Sequence, residues 1–165
     1  MKNILRAPAA SPATAFPHSP STPPPPEAQR PAATLAVTAG VKRLFTDMGL
    51  AVLTEFRLPS GRRVDVAGLT RKGQFVMAEV KSCQADFDAD QKWSEYLDFC
   101  DVFYFAVDAD FPCGRLPIDE GLIKADQFGA SIMREGPSRS MASARRKSLT
   151  LRFARQAAMR HAAAQ

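Results

Sequence analysis

Residues 63–81 read RVDVAGLTRKGQFVMAEVK, and this stretch decides the fold. Two apolar segments, 63–69 and 74–81, flank the short link Arg71-Lys72-Gly73. Both are rich in residues that fit a pleated, buried surface. Glycine at the last loop position suits a three-residue hairpin with that glycine left-handed. With Lys72 at the tip, Leu69 faces Phe75, Ala67 faces Met77 and Asp65 faces Glu79. A bulge at Gly73 would shift this register by one. Directly opposed side chains have Cβ atoms about 4.5–5.5 Å apart. Lys81, two residues from Glu79, points to the same face.

Two carboxylates so placed repel each other, and desolvation adds to the cost. A divalent cation offsets both, because Mg²⁺ takes hard oxygen ligands and keeps some of its waters. Two carboxylates with a lysine alongside have the makings of a site that activates water and stabilises charge on a phosphoryl oxygen. A simple ion pair of Lys81 with Glu79 and Asp65 on a solvated face is the competing reading. The neighbours Val64, Val66, Val76, Ala78 and Val80 are all apolar, which argues that the hairpin is not a surface one.

Elements follow outward from the hairpin. Upstream, Leu35, Val37, Val41, Leu44, Phe45 and Met48 recur at helical spacing over residues 34–48, with Thr34 or Thr38 as cap and Gly49 at the end. Residues 50–58 read as a strand ended by Pro59, Ser60 and Gly61, and its Glu55 is placed to join the acids. Downstream, residues 86–99 read as a helix with Phe87, Trp93, Tyr96 and Leu97 as its apolar positions. Residues 101–107, DVFYFAV, form a run too short for a helix, read as a central strand covered on both faces. Residues 121–125 and 130–134 are short strands around a turn at 126–129. Residues 140–164 form a long helix with Leu149, Phe153 and Met159 towards the body. The expected class is α/β with a mixed sheet.

The 165 residues suit one domain, and 45% apolar residues with eleven Phe suffice for a core. Nine of the thirteen prolines fall in residues 1–31, in an Ala-, Ser- and Thr-rich stretch without period. Residues 1–33 are therefore expected to be a disordered Pro-rich tail, and 34–165 the domain. No apolar stretch of secretory-signal length follows Lys2, and no run approaches a membrane span. Three scattered cysteines make neither a disulfide framework nor a metal knuckle, which points to the cytoplasm. Charge is uneven: residues 34–133 carry a net −4, residues 134–165 a net +7. The chemistry is expected in the acidic part and anion binding on the basic one. A pI near 9.4 fits a nucleic-acid partner. No phosphate-binding glycine loop or serine-hydrolase elbow occurs, so a nucleotide cofactor is not expected.

Asp65 followed by Glu79-Val80-Lys81, in this element order, resembles the PD-(D/E)XK nuclease-like superfamily, whose restriction-endonuclease-like core runs αβββαβ. More closely, AVTAGV (36–41), TEFRLPSGRRVDVAGL (54–69), AEVKSCQADFDADQKWSEYLDFCDVFYFAV (78–107) and ARRKSLTLRFAR (144–155) resemble the bacterial MmcB-like DNA repair proteins. The resemblance spans about residues 34–158. The superfamily implies Mg²⁺ or Mn²⁺ at Asp65 and Glu79, a third ligand from the Val80 carbonyl, Lys81 as catalytic, and Glu55 as the upstream acid of some members. Val64 stands where the motif's proline would be. DNA and other repair proteins are the implied partners. Some members keep the acids and act mainly as binders.

Contacts to DNA phosphates are expected from Lys92 and from Arg145, Arg146, Lys147, Arg152 and Arg155 on the last helix. Asp86, Asp88 and Asp90 lack the glycine and distal glutamate of a calcium loop and read as a solvated helix start. Trp93 and Tyr96 read as core rather than as a base-stacking pair. His18 and His161 have no partner for a zinc site, and Cys83 reads as a packing residue.

Overall fold

The computed structural model describes residues 30–82 and 92–165. Most of the tail (1–29), Cys83 and the aspartates at 86, 88 and 90 lie outside the described residues. The order is α1 (Arg30–Asp47), β1 (Ala51–Arg57), β2 (Arg63–Leu69), β3 (Phe75–Lys81), the 3₁₀ helix η1 (Trp93–Phe99) and β4 (Val102–Val107). The 3₁₀ turn η2 (Cys113–Arg115), β5 (Gly121–Ala125), β6 (Ala130–Arg134) and α2 (Ser143–Ala163) complete it. The six strands form one sheet in sequence order. β1–β2–β3 are antiparallel, β3–β4–β5 parallel, and β5–β6 antiparallel again. This is the mixed α/β sheet with a C-terminal helix that the sequence leads one to expect, consistent with a restriction-endonuclease-like fold.

The hairpin forms as its chemistry dictates. Thr70 N–H donates to the Gln74 carbonyl at 2.9 Å, closing a three-residue loop whose Gly73 has φ 76°. Ladder partners include Leu69↔Phe75 and Ala67↔Met77. The ladder runs to Val66↔Ala78 and stops one step before Asp65.

Two cores sandwich the sheet. On one face Val37, Val41 and Phe45 of α1 pack on Val66, Val76, Ala78, Val80, Tyr104 and Ala106. On the other, α2 and η1 cover Phe75, Met77, Phe103, Phe105 and Val107, with Leu149 and Phe153 as the α2 contacts. Every residue of β3 and β4 is buried, as expected of central strands with helices on both faces. Phe153 sits edge-on to Phe56 and Phe75 at centroid distances of 5.4 and 5.9 Å. Trp93 stacks on Phe103 at 6.0 Å, and the Tyr96 hydroxyl donates to the Arg63 carbonyl, so both serve packing. No described helix is long and apolar enough to cross a membrane.

Some expectations need correction. α1 begins at Arg30, four residues before the expected start at Thr34. Ala32 and Ala33 favour helix, and Pro31 sits in the first turn, where a missing N–H breaks no intrahelical bond. Thr38 is no cap; its hydroxyl bonds back to the Thr34 carbonyl inside the helix. What is described of the 86–99 helix is the 3₁₀ segment from Trp93. Met159 is 67% exposed rather than turned to the body.

Candidate functional site

Phe75, Met77, Glu79 and Lys81 alternate onto one face of β3. The first two enter the core under α2, so the same apolar row ends in two charges. Glu79 and Lys81 are level with Phe105 and Val107 on the parallel neighbour, and both are buried. Their side chains meet at 3.5 Å between Lys81 Nζ and Glu79 Oε1. That is longer than a tight charge-assisted bond of about 2.7–2.9 Å.

Asp65 reaches this end of the sheet from β2. Its Oδ2 accepts the Val80 N–H at 2.8 Å, taking the role a ladder carbonyl would otherwise have. The strand is distorted there. Val66 packs in the α1 core but Val64 in the opposite one, although strict alternation would put both on one face. Across from Asp65, Glu55 is left-handed with φ 51°, a conformation a glutamate holds only when its surroundings enforce it. Burial is the main cause that raises the Asp65 carboxyl above its ordinary range. The Val80 N–H lowers it, nearby Glu55 raises it, and Lys81 and Arg63 lower it.

The structure thus brings Asp65, Glu79, Val80 and Lys81 together at one sheet end. It treats Glu55 differently: the backbone lies beside Asp65, while the half-exposed carboxylate turns to Arg63. Asp65, Glu79 and the Val80 carbonyl offer hard oxygen donors, and the desolvated Asp65 charge is one that a cation would relieve. Among the described residues no three of His, Cys, Asp and Glu cluster closely enough to hold an ion. By donor chemistry, two carboxylates and a carbonyl suit a magnesium-like ion that keeps several waters.

The expected DNA-contacting residues divide. Lys147 and Arg152 are exposed on α2, and Lys92 is exposed ahead of η1. Arg145 is tied to η1, donating to the Asp98 carbonyl at 2.8 Å with its guanidinium 5.5 Å from the Phe99 ring centre. Arg146 turns inward and is not an outward phosphate contact. Its guanidinium donates to both oxygens of buried Asp101 at 2.8 and 2.7 Å and to the Gly73 carbonyl at 2.8 Å. The Asp101 carboxylate also accepts the Phe75 N–H at 2.7 Å, so this pair pins α2 to the start of β3.

Two residues near the site escaped the sequence reading. Gln156 bonds both backbone groups of Arg57, at 2.9 and 3.3 Å. Arg160 donates to the Thr54 carbonyl and, at 2.8 Å, to that of left-handed Glu55. Together they cover the outer edge of β1, an edge strand otherwise open to stray pairing. A signal for them existed. Arg146, Leu149, Phe153, Gln156 and Arg160 follow one another at spacings of three and four, so the polar members share the stripe that faces the sheet.

A family model described as DNA repair protein MmcB-like matches residues 21–165. A solved structure of a protein of unknown function from Silicibacter pomeroyi is 43% identical, with a TM-score of 0.75. That match covers 78% of this chain and 88% of the other. Comparison with curated proteins gives no match. With the family model spanning the whole described domain, the chain belongs to the MmcB-like family of DNA repair proteins.

Proposed function

We propose that this protein hydrolyses DNA phosphodiester bonds at the sheet end formed by Asp65, Glu79 and Lys81. The supporting observation is the buried Glu79–Lys81 pair beside the desolvated Asp65 carboxylate, at the end of a strand that is otherwise wholly apolar. Charges there are expensive for folding, and such groups gather where chemistry needs them. Mg²⁺ or Mn²⁺ held by Asp65, Glu79 and the Val80 carbonyl would supply Lewis-acid polarisation and an acidified water. The Lys81 ammonium is positioned to donate to the attacking water or to a phosphoryl oxygen as its charge grows. Glu79 holds that ammonium in place. Asp65 is steadied by the Val80 N–H. Free Cys100 and Cys113 suit a reducing cytoplasm.

A second reading has its own support. Asp65 already accepts a backbone N–H, and Glu79 already has Lys81, so the same groups can serve a DNA-binding scaffold without turnover. Cleavage of single-stranded, flapped and branched DNA with Mg²⁺ or Mn²⁺ separates the two. The nuclease reading expects metal-dependent products that Lys81→Ala abolishes while DNA affinity persists. DNA binding with no cleavage under any metal assigns the protein to the scaffold class.

A further inference from the structure

α2 buries one stripe and leaves the flank beside it bare, with Gln156 on the border between the two. Ser148, Leu151, Arg152, Arg155, Gln156 and Met159 line an open hollow of about 350 Å³ along the helix. Leu151 is 58% exposed and Met159 67%, so two large apolar side chains stand in water beside two arginines. From Ser148 to Met159 the strip runs eleven residues, about 16 Å at the α-helical rise.

Charge decides what fits. α2 carries Arg145, Arg146, Lys147, Arg152, Arg155 and Arg160 and no acidic residue at all. A second copy docking isologously would set this helix against its own cations, so the occupant must be anionic. A bilayer surface asks for a broad apolar face, and the apolar stripe of α2 is already spent on the sheet. Duplex DNA presents rigid rows of phosphates, against which Leu151 and Met159 would only strip water from charge. A single strand offers both chemistries: phosphates for Arg152 and Arg155, and unstacked base faces for Leu151, Met159 and the guanidinium planes.

We propose that this strip of α2 binds single-stranded nucleic acid and leads it towards Asp65. The direction follows from the helix contacts. Near the N-terminal end, Arg146 reaches Gly73 at the hairpin tip; near the C-terminal end, Arg160 holds the backbone at Thr54 and Glu55, beside Asp65. The inference rests on the reading of DNA as the substrate and names the form of DNA taken.

Binding of the full chain to fluorescein-labelled oligo-dT and to a duplex of equal length, by anisotropy in EDTA across 50–200 mM salt, tests it without turnover. Failure of cleavage therefore leaves this test intact. The wild-type protein is expected to prefer the single strand. Arg152→Gln with Arg155→Gln should lower that affinity about tenfold and reduce the salt slope by about 1.4, two contacts at about 0.7 each. Leu151→Ser with Met159→Ser should lower single-strand affinity about fivefold, leave the slope unchanged and shrink the preference over duplex. All four side chains are exposed or line the hollow, so melting temperatures should stay within a few degrees. If the arginine pair weakens both DNA forms equally and the apolar pair changes nothing, the strip is a plain duplex rail and the proposal fails. It fails too if neither variant changes DNA binding, in which case an acidic protein surface is the remaining anionic occupant.

Discussion

Replacing Arg146 by Gln tests the assignment of one of the α2 cations to the fold. Its guanidinium spans three acceptors, two of them on Asp101, whose side chain is only 3% exposed. Gln cannot reproduce the fork, and it leaves a buried carboxylate with the Phe75 N–H as its remaining named donor. Breaking a buried pair from one side costs about 3–5 kcal/mol. The Arg146 side chain is 26% exposed and water can reach that end, so about 3 kcal/mol is the expected loss. For a domain of this size that lowers the melting temperature by roughly 10 °C. Urea unfolding of Arg146→Gln, Asp101→Asn and the double variant measures the loss and its coupling. The double variant should be less destabilised than the sum of the singles by more than about 1 kcal/mol, since Asn removes the stranded charge. Folded Arg146→Gln should bind DNA as tightly as wild type. A loss below about 1 kcal/mol without coupling would refute the inward assignment and return Arg146 to the phosphate-binding set.

Gly40→Ala should destabilise by about 1–3 kcal/mol, although alanine normally improves a helix. A Cβ at Gly40 would lie 2.3 Å from the Asp126 carbonyl oxygen and 2.5 Å from that of Gly129, both backbone atoms of the β5–β6 turn. A raised melting temperature would show that α1 does not approach that turn so closely. Asp65→Asn should stabilise the metal-free protein while abolishing cleavage. Burial raises the Asp65 carboxyl in the folded state, so its contribution is most favourable below the ordinary carboxylate range and is lost as pH rises through the raised value. The variant's advantage in melting temperature, measured in EDTA, should therefore grow from pH 4 towards neutrality. Millimolar Mg²⁺ should stabilise wild type and not the variant. An advantage that stays flat with pH would mean that Asp65 is not desolvated.

How much of this was legible depends on where each residue finds its partners. β2, β3 and their loop were readable because their determinants are local: two apolar runs, a glycine free to take φ 76°, and a turn closed within five residues. β4 was readable because six apolar residues without a polar break have nowhere to go but the middle of a sheet. The β5–β6 turn was readable for the same local reason, and Asp126 Oδ1 accepts the Phe128 and Gly129 N–H groups there. The left-handed Glu55 was not readable. Nothing in AVLTEFR marks that position, because the groups that hold it include Arg160, 105 residues away.

The charges show the same divide more sharply. Glu79 and Lys81 stood out in the sequence because a carboxylate and an amine on an apolar strand contradict their surroundings, and such a contradiction needs a cause. Among the cations of α2 the inward ones did not stand apart from the outward ones, because a basic helix looks like a basic helix whichever way each residue turns. Arg145 and Arg146 are neighbours in sequence, yet about 100° of helical rotation separates a guanidinium lying over Phe99 from one buried against Asp101. The helical period carries that distinction when it is applied to polar residues as strictly as to apolar ones. Counting from Leu149 and Phe153 places Arg146, Gln156 and Arg160 on the inner stripe and Ser148, Leu151, Arg152, Arg155 and Met159 off it. A polar residue on the inner stripe must have a partner in the fold, because burying it without one would cost more than a surface ion pair returns. An apolar residue off it must either tolerate water or meet a partner outside the fold. By that criterion Arg146, Gln156 and Arg160 hold α2 against β1 and β3. The outer strip of α2, with Arg152 and Arg155 between Leu151 and Met159, has no such role in the fold and stays open to solvent.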